Sequence, residues 1–186
     1  LSLFSMEEGW LRLFKFVHYL LLQDGSNMDT TVILVDESNN FLGYEKKEIA
    51  HSGDGKHHRA IAIFLFNSKG EMLLQRRKHK RWDNVWDVAG ATDVLHVDGR
   101  DESYEETGRR CMQKEWNMTV SLRTLFGFNY FERYGTMCEN EFCMMLVGEV
   151  PETIKYNPEV AYGQKWIKLN ELVSEVEKYP HHFTPW

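Results

Sequence analysis

Apolar residues in this chain follow two rhythms, and the change from one to the other outlines the fold. Period-two or continuous β-rich runs fill Thr31 to Tyr44, where a polar turn divides two strands. A second such pair spans Arg59 to Arg77, "RAIAIFLFNSKGEMLLQRR", the clearest hairpin in the chain, turning at Asn67-Ser68-Lys69-Gly70. "VWDVAG" follows as a short strand stopping at Gly90, and "TVSLRTLFGFNYFERY" and "EFCMMLVGEV" are long strands. Helical rhythm governs Asp101 to Trp116, with acidic residues first, basic residues late, and Glu105/Arg109 and Glu106/Arg110 four apart. A last helix is expected in "KLNELVSEVEKY" and a short helix or turn in "EKKEIAH". Strands, one central helix, further strands and a terminal helix predict a mixed α/β sandwich rather than a repeated βαβ array.

Ahead of this lies "GWLRLFKFVHYLLLQ", Gly9 to Gln23. Arg12, Lys15 and His18 interrupt it every third residue, and it is shorter than the ~20 apolar residues of a membrane span. The pattern predicts an amphipathic helix that packs on the domain or pairs two copies of it, with a membrane-surface helix or a leader ending before Met28 as the other readings, so residues 1–28 read as a helical or leader-like extension and 29–186 as one domain. The 186 residues suffice for one core, and a net charge of −6 argues against a chain that coats nucleic acid. Three cysteines at no zinc-finger spacing point to a reduced, cytoplasmic protein.

Four constellations carry candidate chemistry. His51 and His58 flank Gly53 and Gly55, so a bent loop brings two imidazoles together as metal ligands. Glu139 and Glu141 stand two apart on a strand, hence on one face, where like charges call for a cation. "QRRKHKR", Gln75 to Arg81, is either a solvated loop or a polyanion site. Glu115 ends the central helix with the small Cys111 and Gly108 on its face.

In order along the chain, these pieces resemble the Nudix superfamily, and within it the type I isopentenyl diphosphate isomerases, from about Thr31 to Trp186. The resemblance implies a Nudix-type α/β/α sandwich with a mixed sheet. It implies metal ligands at His51, His58, Asp93, Glu139 and Glu141, with Glu115 holding a magnesium against the substrate. Glu141 would also serve as acid, with Tyr130 as the catalytic tyrosine, and Lys47, Arg77, Lys80 and Arg110 would hold the diphosphate. "PHHFTPW" resembles the aromatic segment closing the family's site, with His181 where the family has tryptophan.

Two departures matter. In "RCMQKE", Arg110 and Glu115 remain while Cys111 and Lys114 replace two glutamates of the hydrolase helix, which resembles the isomerase branch. Counting from Trp86, Ala91 and Asp93 occupy the isomerases' catalytic cysteine and metal histidine positions. Alanine carries no proton, whereas aspartate makes the cage richer in hard oxygen and favours Mg2+ or Mn2+ over Zn2+. The expectation is a metal-dependent enzyme on a small-molecule diphosphate, isomerase-like, with a Nudix pyrophosphohydrolase and a non-catalytic diphosphate-binding module as the other two readings.

Overall fold

The computed structural model describes residues 30–186, and the 1–28 extension with its expected helix lies outside them. Among the described residues are eleven strands of one mixed sheet and three α-helices. β1 (Thr31–Val35) and β2 (Phe41–Lys46) form the first hairpin, and the single turn α1 (Lys47–Ala50) follows. The sheet is built on β3 (His58–Phe66). Along one edge β3 runs parallel to β10 (Met137–Glu149) in unbroken register from His58↔Glu141 to Phe66↔Glu149. β10 in turn pairs antiparallel with β9 (Arg123–Tyr134).

The expected hairpin of β3 with β4 (Glu71–Arg77) is closed only at its base, by Phe66↔Met72. Asn67 fixes that turn, its side-chain oxygen accepting from the Lys69 and Glu71 amides at 3.0 Å each. Beyond it the strands part, and residues 86–93 enter between them. β5 (Trp86–Asp87) pairs with β4, while β6 (Gly90–Asp93) pairs with β3 from Ala60↔Asp93 to Ile63↔Gly90. The strand thus does not stop at Gly90 but resumes there. β7 (Leu95–Val97) and β8 (Arg100–Asp101) continue to the β1 edge, and β11 (Ala161–Lys168) covers the free edge of β4.

Alternation along β3 divides the core. Ile61, Ile63 and Leu65 face α2 (Tyr104–Trp116), packing with Met112, Trp116 and Leu146. Ala60 and Ala62 face the other way, with Cys143, Leu74 and Ile167, on the side where His58 also projects. α2 begins at a capping box: Ser103 Oγ accepts from Glu106 N at 3.2 Å and Glu106 returns the bond to Ser103 N at 2.8 Å. That duty turns Glu106 toward Arg100, and Arg110 pairs with Glu102, instead of the i,i+4 pairs expected from spacing. α3 (Leu169–Lys178) lies on the outside with no buried residue, so the second helical layer of the expected sandwich is thin.

The loop between α1 and β3 is shaped by Gly55, at φ +67°, where a Cβ would collide with Cys138 Sγ. Gly55→Ala is expected to destabilise the protein by about 1–3 kcal/mol, from left-handed strain plus overpacking. Cys138→Ala in the same chain should recover part of that loss. Urea denaturation of the four proteins tests both statements.

Candidate active site

Three strands and the end of α1 bring one group of ligating side chains together on the alanine face of the sheet. His58 opens β3, Glu141 is its direct partner on β10, Asp93 ends β6 beside Ala60, and His51 follows α1. One donor atom from each of His51, His58, Asp93 and Glu141 lies within 4.8 Å of all the others. His58 Nε2 stands 3.1 Å from Asp93 Oδ1 and 3.8 Å from Glu141 Oε1, and His51 Nε2 stands 3.6 Å from Asp93 Oδ1. The imidazoles are held from behind, His51 Nδ1 at 2.8 Å from the Lys47 carbonyl and His58 Nδ1 at 2.7 Å from the Lys56 carbonyl. Protonation at Nδ1 leaves each Nε2 lone pair directed into the cage, the arrangement of metal-ligating histidines. Two nitrogens and two carboxylates in this space suit a divalent cation.

The carboxylates are 2% (Asp93), 5% (Glu139) and 6% (Glu141) exposed, so their charges must be met inside. Burial pushes Asp93 upward, but Lys47, ion-paired with it, and both histidines hold its carboxyl well below the usual range. Burial likewise opposes Glu139, and His51 at 3.0 Å with Arg81 at 2.8 Å keeps it low. Glu141 goes the other way: burial, then Asp93 and Glu139, raise it well above the carboxylate range. Its second oxygen accepts from the Tyr130 hydroxyl, whose own ionisation burial and Glu141 push well up. A protonatable carboxyl and a neutral phenol therefore sit at the cage wall, as acid–base chemistry requires.

Above the cage opens a cavity of about 140 Å³. Its lining includes Lys47, Arg77, Arg81, Arg110 and Lys114 as cations, with Ala91, Tyr130 and Trp186. The structure therefore unites Lys47, Arg77 and Arg110 with the ligand set, but Lys80 is exposed and outside the lining. Arg81 takes the place expected of Lys80, because the loop from residue 78 to 84 turns through left-handed Trp82 and Asn84 and points the next residue inward. Glu139 is outside the four-donor group, tied between His51 and Arg81. Glu115 lines another part of the cavity, 3.4 Å from Gln75 Nε2, its carboxyl raised by burial.

Gly108 packs against Leu122 and Leu146 rather than clearing space for a ligand; the glycine facing Glu115 is Gly90. Cys111 also lines the cavity, beside Gly90, with burial raising its thiol to about 12. Trp186 belongs to the aromatic terminal segment and Gln75 opens the basic run, and both line the cavity.

A NUDIX domain family model matches residues 56–186. The chain is 33% identical over 162 residues to isopentenyl-diphosphate Delta-isomerase 2 of Aromatoleum aromaticum, covering 86% of this chain and 83% of that one. It is 30% identical to isopentenyl-diphosphate Delta-isomerase of Serratia proteamaculans, covering 86% and 88%. Among solved structures, a Deinococcus radiodurans protein superposes with a TM-score of 0.62 at 23% identity, over 80% of this chain and 90% of that one. The MutT protein of Methanosarcina mazei gives 0.52 at 20% identity, over 63% and 81%. These two show the fold.

Metal and proton compete for the same Nε2 atoms. In the metal-free protein burial lowers the His51 pKa, but Glu139 and Asp93 outweigh it and raise it above its usual value. Affinity for Mn2+ is therefore expected to fall about tenfold or more between pH 7.5 and 5.5, as a proton occupies His51. Calorimetric titration at both pH values checks this, with His51→Gln flattening the dependence.

Proposed function

The chain belongs to the NUDIX family, and on that premise we propose that it is a divalent-metal-dependent enzyme of the isopentenyl diphosphate isomerase type, acting on a small isoprenoid diphosphate in the cytoplasm. The observation that carries the reading is Glu141, one oxygen facing the His51, His58 and Asp93 donors and the other held by Tyr130. Relatives at 30–33% identity named as isopentenyl-diphosphate isomerases support it. The small cavity adds to this, since it is below the ~300–1,000 Å³ of sites for drug-sized ligands.

In this reading His51, His58, Asp93 and Glu141 hold Mg2+ or Mn2+, with Glu139 steering His51 and Glu115 near a second magnesium. The metal supplies positive charge beside the reacting face. Arg77, Arg110 and Lys47 hold the diphosphate, with Arg81 in place of Lys80. Each already has a carboxylate partner that fixes its direction: Asp87 for Arg77, Glu102 for Arg110, Asp93 for Lys47, Glu139 for Arg81. Glu141 and Tyr130 hold the proton on one face of the alkene. On the other face Ala91 offers no group, and water takes the thiol's part. The expected cost is ~10²- to 10⁴-fold in rate.

Pyrophosphate hydrolysis is the second reading, favoured by the oxygen-rich cage that Asp93 creates. Against it, the helix presents a single carboxylate, Glu115, to the cavity, beside Cys111 and Lys114.

Proton NMR of isopentenyl diphosphate with Mg2+ or Mn2+ in heavy water, with a phosphate assay on the same samples, separates the readings. Deuterium incorporation and the allylic isomer are expected from the wild type, and faster from Ala91→Cys. Phosphate release scaling with magnesium, without deuterium exchange, replaces isomerisation by hydrolysis. Thermal stabilisation by the diphosphate with neither signal leaves a binding module.

A further inference from the structure

Asp87, the last residue of β5, is 2% exposed and stands outside the four-donor cage. Its carboxylate is bonded at both oxygens. Oδ2 accepts from Arg77 Nη1 at 2.7 Å, while Oδ1 accepts from Val88 N at 2.8 Å and from Thr184 Oγ1 and Trp186 Nε1 at 3.0 Å each. Three donors saturate Oδ1, and Oδ2 is committed to the Arg77 guanidinium.

The two oxygens serve two different groups of the cavity lining, Arg77 and Trp186. Arg77 is the anion-facing arm, its Nε donating to the Arg81 carbonyl at 3.2 Å and its Nη2 3.1 Å from His79 Nδ1. Trp186 is the aromatic wall. Its ring lies 5.5 Å beneath the Arg77 guanidinium, 5.2 Å from Trp82 and 6.0 Å from Tyr130. The segment carrying it has a backbone anchor too, Thr184 N donating to the Trp86 carbonyl at 2.9 Å.

We propose that Asp87 is a positioning residue that sets the anion-binding Arg77 and the closing Trp186 in register through one buried carboxylate. The inference rests on the reading of Arg77 as a diphosphate-holding residue. Asp87 at Nη1 and the Arg81 carbonyl at Nε together fix the guanidinium plane, with Asp87 the charged partner, and a planar fork gives its full value to a phosphate only when that plane is set beforehand. An asparagine at 87 keeps an acceptor for Trp186 but turns an N–H2 toward Arg77, so the two donors repel.

Binding of magnesium pyrophosphate, followed by calorimetry, tests the Arg77 arm. Asp87→Asn is expected to raise the Kd about tenfold or more, and to add less than about twofold in an Arg77→Met background, because it acts through Arg77. A Kd within about twofold of wild type, or equal losses in both backgrounds as a purely structural role gives, overturns the proposal.

The Trp186 link needs no ligand. Acrylamide quenching of the Trp186 emission, taken as the difference from matched Trp186→Phe proteins, should rise about twofold in Asp87→Ala, and unchanged quenching overturns the link. A wild type that binds no pyrophosphate overturns the diphosphate reading itself, and the Asp87 to Trp186 link is then decided by quenching.

Discussion

Three carboxylates are buried within reach of one another, and most of the molecule answers the electrostatic problem they create. Asp93, Glu139 and Glu141 come from two strands and meet with only 2–6% of their surface exposed. Unopposed, such a group would protonate or push the strands apart. Lys47 on α1 meets Asp93, Arg81 on the loop over the site meets Glu139, and Glu141 takes its bond from Tyr130. The two histidines contribute nitrogen rather than fixed charge, which leaves the balance to a divalent cation. Two of these counter-groups come from connecting segments, Lys47 on α1 and Arg81 on the loop before β5, while Tyr130 comes from β9.

Small residues make the same point sterically. Ala60, Ala62 and Ala91 form a low floor beside His58 and Asp93, where larger side chains would fill the space above the sheet. Gly90 lies against Cys111 Sγ, a contact of 2.7 Å had it a Cβ, so α2 rests directly on β6 and Glu115 reaches the cavity. Trp116 Nε1 donates to the Ala89 carbonyl at 2.6 Å and secures the other end of that approach. Ala91 therefore offers the cavity a flat, apolar surface, with Cys111 off to one side.

Much of this was legible in the residues alone. His51 and His58 betray themselves by glycine-flanked spacing, Glu139 and Glu141 by strand parity, and α2 by its acidic start and basic later half; all three signals are local. Three features were not legible because they depend on contacts distant in sequence. The β3–β4 pair reads as a simple hairpin because its turn is well formed, and nothing local says that residues 86–93 will enter it. In a run of basic residues, which one faces inward depends on the handedness of Trp82 and Asn84, so Lys80 was favoured over Arg81. Asp87 reads as a strand-end aspartate until Trp186 arrives against it.

The parallel pairing of β3 with β10 also bears on how the protein acquires its site. His58 and Glu141 are neighbours in the sheet but stand roughly eighty residues apart in the chain, so a large loop must close before they meet. Pairings of that range form late and slowly, after local hairpins and helices. The cage is consequently assembled near the end of folding. A cation that recognises only the finished cage then stabilises the native state by mass action and has no cage to recognise in earlier species, so it slows unfolding without hastening folding.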